Sequence, residues 1–311
     1  MPTYKAINHF RIWTLIPFLV ISFIARGQNP NINYIQTGSQ EGMHFSNRTG
    51  NAEKPLLYKK IDTTSLYLTV YPSLLANPTK KSPAMVFYFG GGWTSGTIKQ
   101  FEPQAIYFSK RGIACILVDY RVRERHKTTP FESLKDAKSA IRYVREHASE
   151  LNIDPSKIIA AGGSAGGHLA AATALITDYN ESTDNQNISC IPDALVLFNP
   201  VFDNGPGGYG YERIGDAYKN FSPLHNIKVG APPTIVFLGE KDELVAVETA
   251  RYYKKVMGKV KSRCDLFLYE GQEHGFFNYK NFEYYKKTVT ETDTFLQSLG
   301  YLSKEPVVEI K

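Results

Sequence analysis

The sequence of 311 residues predicts one α/β domain with a mostly parallel central sheet flanked by helices. Short apolar runs alternate with segments of helical periodicity along most of the chain, which is typical of repeated strand-helix pairs. The run 84–89 is apolar at every position, as expected for a strand covered on both faces of a parallel sheet. The sequence contains neither an internal repeat nor a linker that would separate a second domain.

The elements are predicted in chain order from these patterns. Two strands, 56–61 and 65–71, form a hairpin that Pro72 ends. The later strands are predicted at 84–89, 113–118, 158–161, 194–198, 234–238 and 265–269. The helices between and after them are predicted at 101–111, 130–150, 169–175, 245–257 and 282–299. Asp154-Pro155 is predicted to form a turn before the strand 158–161.

No strand pattern appears between Asn199 and Gly230. The glycine-rich run 203–211 lies here, followed by a weak helical pattern. Because the segment follows a strand, it is expected at the sheet edge where α/β proteins bind ligands. We interpret residues around 200–230 as a small lid or substrate-binding insertion, with a plain surface loop as the alternative.

The N-terminal residues predict a secretory signal peptide over 1–27. Two cations and no acid precede the apolar run 12–25, and Ala25-Arg26-Gly27 provides small residues before a cleavage at Gln28. The alternative, a membrane anchor, is disfavoured because the run is short for a span and Pro17 interrupts it. We therefore expect a secreted or periplasmic protein without stable membrane insertion. A polar leader is predicted at 28–55, the main domain at 56–300 and a tail at 301–311.

Charge and cysteine content exclude several function classes. The formal charge is +6, and the signal peptide removes three cations, so the mature charge is too small to indicate a nucleic-acid partner. Cys115 lies in an apolar run and is expected to be a buried thiol, whereas pairing of Cys190 with Cys264 stays open. No Cys/His spacing suggests a metal site, and no cofactor is expected.

The stretch Gly162–Gly167 carries the strongest chemical signal. It follows an apolar run and precedes an alanine-rich helical segment, which gives a strand, a sharp turn and a helix. A serine held between glycines on such a turn is the G-x-S-x-G nucleophile elbow. Ser164 is therefore the candidate nucleophile, and the alternative is an ordinary glycine-rich turn.

A base and an acid for this serine are expected at other strand ends. The candidate base is His274, which lies between glycines after the last predicted strand, and His225 in the insertion is its rival. The candidate acid is Asp242, directly after the strand 234–238. Its alternatives are the neighbours Glu240 and Glu243, and a helix N-cap role compatible with catalysis is also open.

Donors for a developing oxyanion are expected from backbone N–H groups. Three consecutive glycines, 90–92, follow the apolar strand 84–89 and allow close approach of a substrate carbonyl. Gly91 and Gly92 are therefore candidate donors. Ala165, the residue after the nucleophile, is the third.

The order Ser164, Asp242, His274 is that of the α/β-hydrolase fold. Over about residues 56–299 the chain resembles the α/β-hydrolase esterases related to hormone-sensitive lipase, and among them secreted acetyl-xylan and feruloyl esterase-like carbohydrate esterases. The resemblance implies an α/β-hydrolase fold and ester hydrolysis. One departure is Phe89, since the family usually has His-Gly-Gly-Gly where this chain has Phe-Gly-Gly-Gly. This leaves the support of the glycine loop and the substrate range open.

These features, with the resemblance, predict a secreted serine carboxylesterase that removes small acyl groups, acetyl above all, from a carbohydrate through an acyl-enzyme. The expected substrate is a small-molecule or polysaccharide ester. Trp93, Tyr209 and Tyr211 are candidate substrate contacts, because aromatic rings stack on sugars. The alternatives are a general carboxylesterase, a peptidase of the prolyl-oligopeptidase type, and a non-catalytic binding protein with the same fold.

Overall fold

The computed structural model describes residues 52–75 and 80–311. The predicted signal peptide and almost all of the predicted leader lie outside these residues. The described part contains one eight-stranded sheet with the strand order β1-β2-β4-β3-β5-β6-β7-β8. The strands are β1 Leu56–Ile61, β2 Thr64–Tyr71, β3 Ser82–Tyr88, β4 Ala114–Val118, β5 Ile153–Gly163, β6 Ala194–Phe198, β7 Thr234–Gly239 and β8 Cys264–Tyr269.

The sheet is parallel except at one edge. β1 pairs antiparallel with β2, and β2 pairs antiparallel with β4. From β4 to β8 every pairing is parallel. The central strands β4 and β6 are buried at every position, as their unbroken apolar sequences predict. The predicted hairpin and parallel sheet are both confirmed.

Helices cover the sheet on both faces. The helices are α1 Glu102–Lys110, α2 Arg123–His126, α3 Pro130–Glu146, α4 Ala165–Leu175, α5 Tyr211–Ile214, α6 Tyr218–Phe221, α7 Val247–Lys259 and α8 Phe282–Ser298. The helices α3, α4 and α7 contribute to one buried apolar cluster, and α1 and α8 contribute to the other. Because the carboxyl ends of the parallel strands meet at one sheet edge, the loops after β3, β5, β6, β7 and β8 can build a common site.

Two local predictions need correction. The third helix ends at Glu146, earlier than the predicted 150, because the chain turns over the next residues. The predicted turn at Asp154-Pro155 lies inside β5, where the pairing with β3 shifts register. Within that irregular stretch Asp154 Oδ1 accepts the Ser156 N–H at 3.0 Å, so the turn chemistry is present as a bulge in the strand.

The segment predicted as an insertion follows β6 and consists of short helical turns and glycine-rich loop. The predicted C-terminal tail is held against the body, since Arg111 donates to the backbone oxygens of Ser303 and Pro306. Cys115 is buried as expected, and the structure leaves Cys190 and Cys264 as free thiols. Within residues 52–75 and 80–311, no helix is both long and apolar enough to span a bilayer.

A buried charge cluster joins the antiparallel edge to α3. The carboxylate of Asp136 is fully buried and lies 2.7 Å from Lys59 Nζ and 2.8 Å from Arg121 Nε. Glu181 lies 3.1 Å from Lys59 Nζ, so the cluster also fixes the loop after α4. The cluster therefore attaches β1 and this loop to the helix layer.

We expect Asp136→Ala to lower the free energy of unfolding by about 3–5 kcal/mol, because it leaves two buried cations with a single anion. Urea unfolding followed by circular dichroism measures this change. Glu283→Ala, which removes an exposed ion pair with Lys287 on α8, is the control and should leave the urea midpoint near that of the wild type. Equal urea midpoints for the two variants would contradict a stabilising role of Asp136 in the buried charge cluster.

Candidate active site

Ser164 stands on a sharp turn between β5 and α4. Its backbone has φ +55° and ψ −120°, a conformation that non-glycine residues rarely adopt. The turn is possible because its glycines allow close packing: a Cβ on Gly166 would overlap the carbonyl oxygens of Tyr88 and Phe89. The Ser164 N–H donates to Phe198 O at 2.9 Å, which fixes the turn against β6. This geometry presents the serine hydroxyl at the carboxyl edge of the sheet.

The structure brings the three predicted catalytic side chains together. Ser164 Oγ lies 2.8 Å from His274 Nε2, and His274 Nδ1 lies 2.7 Å from Asp242 Oδ2. Asp242 is almost fully buried, while His274 is partly exposed to solvent. In this arrangement the hydroxyl donates to Nε2 and the Nδ1–H donates to the carboxylate, as nucleophilic catalysis by serine requires.

Asp242 is oriented by the turn that follows β7. Its Oδ1 accepts the N–H groups of Leu244 and Val245, each at 2.9 Å. The helix α7 begins only at Val247. The carboxylate of Asp242 therefore caps a turn and does not take the helix N-cap role that the sequence leaves open. The exposed rival Glu240 lies 3.8 Å from Arg251 and outside the hydrogen bonds of His274.

The glycine loop after β3 lies against the elbow. A Cβ on Gly90 would approach Gly163 O to 3.0 Å and Ser164 Cβ to 3.3 Å. Gly91 and Gly92 have φ of +116° and +62°, values that favour glycine. Within residues 52–75 and 80–311, the N–H groups of Gly91, Gly92 and Ala165 donate to no protein acceptor. The oxyanion role of these three donors stays a prediction, and it is consistent with Ala165 beginning α4, whose N-terminus favours negative charge.

Phe89 supports the loop by aromatic packing. Its ring stacks on Tyr120, with centroids 4.1 Å apart and an interplanar angle of 14°. The Tyr120 hydroxyl donates to Phe89 O at 2.5 Å. Arg213 of the insertion donates to Gly92 O and fixes the loop from the other end. The departure from the family pattern is therefore accommodated by a second aromatic ring.

Asn199 is a site residue that the sequence reasoning missed. Its side chain is buried, with Nδ2 3.3 Å from His274 Nε2 and Oδ1 accepting the Gly275 N–H at 3.1 Å. It directly follows β6, and its own N–H donates to Phe237 O at 2.7 Å. Asn199 therefore positions the histidine loop relative to two neighbouring strands. Its place at the end of an apolar strand was the one signal that pointed to it.

A second link joins the histidine loop to the glycine loop. Gln100 Oε1 accepts the Gly90 N–H at 2.7 Å, and Gln100 Nε2 donates to Asn278 Oδ1 at 3.0 Å. Asn278 Nδ2 in turn donates to Gly275 O at 2.7 Å. The base and the oxyanion loop are thus connected through two amide side chains, neither of which the sequence indicated.

The other histidines are placed in different surroundings. His225 Nε2 lies 3.3 Å from Asp203 Oδ1, so the structure pairs this rival base with the insertion and pairs His274 with the nucleophile. His168 is fully buried on α4, stacks on Phe221 and has Nε2 2.9 Å from Phe221 O. Burial lowers the pKa of His168 to about 3, so its ring is neutral at ordinary pH.

This buried ring predicts a pH-dependent stability. Between pH 6.5 and about 3 the unfolded chain binds a proton at His168 that the folded chain excludes. The free energy of unfolding therefore falls as the pH falls, by about 1.4 kcal/mol per unit. Between pH 6.5 and 5 we expect the wild type to lose about 2 kcal/mol more than His168→Gln, measured by urea unfolding.

The matched control for this prediction is His147→Gln, which changes a histidine at the end of α3 that is partly exposed. Its unfolding free energy is measured at the same two pH values and controls for the loss of a histidine ring as such. If the unfolding free energies of the wild type and His168→Gln changed equally with pH, the lowered pKa of His168 would be contradicted.

The predicted aromatic contacts separate into two groups. Trp93 was predicted to stack on a substrate ring, and this is wrong: its side chain is 1% exposed and lies under Arg213, whose guanidinium carbon is 5.4 Å from the ring centroid. Tyr209 is partly exposed and packs on Trp93, with ring centroids 6.0 Å apart. Tyr211 is partly exposed and packs edge-on against Tyr218.

Comparison with known proteins gives this arrangement a family. A model described as BD-FAE matches residues 72–197, and the dienelactone hydrolase family matches residues 199–299. Esterase 2 of Thermogutta terrifontis, in a structure phosphorylated by paraoxon, is 42% identical with a TM-score of 0.78 over 83% of this chain and 98% of that one. The chain belongs to the α/β-hydrolase esterases.

Other α/β-hydrolase esterases match more distantly. Esterase LipC of Mycobacterium tuberculosis is 26% identical over 64% of this chain and 54% of its own length. An acetylxylan esterase of Xylanibacter ruminicola is 27% identical over 72% of this chain and 46% of its own length. The chain thus spans about half the length of these curated relatives. The Thermogutta esterase has also been solved with propionate and with butyrate bound.

Proposed function

We propose that the chain is a serine carboxylesterase. The observation that carries the proposal is the continuous hydrogen-bonded series from Ser164 through His274 to Asp242, with links of 2.8 and 2.7 Å. The backbone N–H groups of Gly91, Gly92 and Ala165 donate no hydrogen bond to any acceptor among the described residues. A nucleophile, a base, an orienting acid and oxyanion donors are what acyl transfer requires.

The proposed reaction has two halves. Ser164 Oγ attacks the ester carbonyl carbon while His274 Nε2 accepts the hydroxyl proton, and the N–H groups of Gly91, Gly92 and Ala165 bind the oxyanion. The C–O bond to the alcohol then breaks, and the alcohol leaves with the proton from Nε2. Water attacks the acyl-enzyme with the same base, and this releases the carboxylic acid and restores the serine. Asp242 keeps Nδ1 protonated throughout.

We place the substrate among short-chain esters of carbohydrates, with acetyl as the acyl group. Support comes from the acetylxylan esterase among the relatives. The propionate and butyrate complexes of the Thermogutta esterase support a short acyl chain. The predicted signal peptide supports action outside the cytoplasm, where such polymers are found.

A substrate panel tests this proposal. We expect acetate release from acetylated xylan and turnover of 4-nitrophenyl acetate, with little ferulate release from feruloylated arabinoxylan and little cleavage of a dipeptide anilide. Enzyme inactivated beforehand with a fluorophosphonate is the control. Turnover of aryl acetates alone would reduce the proposal to a general carboxylesterase. Faster cleavage of the anilide than of any ester would favour a peptidase and overturn it.

A further inference from the structure

A cavity of about 230 Å³ lies between the insertion and the start of α7. One wall comes from residues 201–209 of the insertion, and the other comes from residues 244–249. The cavity is smaller than the roughly 300–1,000 Å³ of pockets for drug-sized ligands, so it suits a single ring rather than a long chain. Neither the catalytic side chains nor the oxyanion donors line it.

Three contacts place the cavity beside the catalytic machinery. Val201, on its wall, donates its N–H to Ser164 O at 3.2 Å. Val245, on the opposite wall, donates to the carboxylate of Asp242. The Tyr209 hydroxyl reaches the oxyanion loop, since a Cβ on Gly92 would lie 2.5 Å from it. These contacts bring the cavity walls to the backbone of Ser164, the carboxylate of Asp242 and the oxyanion loop.

The polar lining includes one carboxylate with free acceptor capacity. Asp203 Oδ1 accepts the Gly205 N–H at 2.8 Å and faces His225 Nε2 at 3.3 Å. Asp203 Oδ2 accepts no hydrogen bond from any residue in 52–75 or 80–311. The carboxylate is 29% exposed, so a ligand in the cavity has access to it. Its charge strengthens hydrogen bonds from hydroxyl groups and repels anionic ligands.

The rest of the lining is apolar or weakly polar. Tyr209 contributes an aromatic ring whose position is fixed by Arg213, with the guanidinium carbon 5.2 Å from the centroid. Leu244 and Val201 add aliphatic surface. An aromatic ring, aliphatic groups and one acceptor carboxylate match a neutral polyhydroxylated ring, which has apolar C–H faces and hydroxyl donors at its edge.

We propose that this cavity binds the sugar ring of the alcohol portion of the ester, with Asp203 accepting hydrogen bonds from its hydroxyl groups. This inference rests on the proposed esterase function and names a subsite for the leaving group. It assigns the site to neutral sugars, because the negative charge of Asp203 repels the carboxylate of a uronate. The aromatic contact of this subsite is Tyr209, rather than Trp93 or Tyr211.

The test compares two acetyl esters that differ only in their alcohol, a mono-O-acetylated methyl xyloside and 4-nitrophenyl acetate. Asp203→Asn keeps an acceptor for the Gly205 N–H and removes the charge. We expect the ratio of kcat/KM on the xyloside to kcat/KM on the aryl ester to fall about fivefold, mainly through KM. Asp216→Asn, an exposed carboxylate of the same insertion, is the matched control and should leave the ratio unchanged.

A binding measurement makes the outcome independent of turnover. Unsubstituted methyl xyloside is titrated by saturation-transfer NMR into wild type and Asp203→Asn, and weaker binding to the variant supports the subsite. An equal ratio and equal binding in the two proteins would overturn it while leaving the esterase function intact. Failure of the esterase function is recognised separately, as absence of turnover of both esters by the wild type.

Discussion

The Ser164→Ala variant is expected to hydrolyse 4-nitrophenyl acetate with a kcat on the order of 10⁶ times lower than that of the wild type. The serine Oγ is the atom that lies 2.8 Å from His274 Nε2, and alanine removes it while keeping the Cβ and the backbone of the turn. The oxyanion donors remain, so a small rate above that of the uncatalysed reaction should persist. Stopped-flow assays measure the fast hydrolysis by the wild type, and long-time assays measure the slow residual hydrolysis by the purified variant.

The control for this prediction is Ser182→Ala, an exposed serine in the loop after α4. Its kcat should equal that of the wild type. This result would show that losing a serine hydroxyl outside the site does not lower the rate. Circular dichroism should show both variants folded, because neither change creates a cavity. A Ser164→Ala rate within tenfold of the wild type would contradict nucleophilic catalysis at this position.

Replacing Asp242 with asparagine is expected to lower kcat by about 10⁴-fold. The N–H groups of Leu244 and Val245 bind Oδ1 at 2.9 Å, and they hold the asparagine carbonyl oxygen in the same place. The amide nitrogen then faces His274 Nδ1, where a donor forces the proton onto Nε2. An imidazole protonated at Nε2 cannot accept the proton of Ser164.

The matched controls are Glu240→Gln and Glu243→Gln, which change the two exposed neighbours that the sequence left as rival acids. Each should retain a kcat within about twofold of the wild type, since surface charges have small effects. A large loss in either control, together with a small loss in Asp242→Asn, would transfer the role of the acid to that neighbour. The kcat of all three variants is obtained from initial rates at several pH values.

The sheet and the main catalytic candidates were predictable because each carries a local pattern. Strands that are apolar at every position, such as 114–118, are typical of a parallel sheet covered by helices on both faces. Loops after such strands meet at one edge. Ser164, Asp242 and His274 were each recognisable as the reactive residue type on the turn or loop that follows a strand.

The residues that support these side chains were not predictable in the same way. Asn199 contacts His274 across 75 positions, and Gln100 contacts Asn278 across 178 positions. A single amide side chain has no periodicity or motif, and its partner is fixed only when distant strands pair. The tertiary structure alone therefore identifies the amide links between the histidine loop and the oxyanion loop.

Trp93 shows where residue type was misleading. An aromatic residue directly after the oxyanion glycines suggested a sugar platform, but the insertion folds over it. Arg213 and Tyr209 cover the indole, and the carboxylate of the insertion that lines the cavity is Asp203. The burial of an aromatic ring next to a loop depends on what a later segment places above it, and the sequence pattern of the loop contains no such information.

Labelling with a fluorophosphonate tests the central claim most directly. Intact-mass spectrometry and peptide mapping of the wild type should show one adduct, on the peptide that contains Ser164, and none in Ser164→Ala. The rate of labelling should fall strongly in Asp242→Asn, because the same base activates the serine toward phosphorus and carbon. Absence of an adduct, or an adduct on another residue of the wild type, would contradict the assignment of Ser164 as an activated nucleophile.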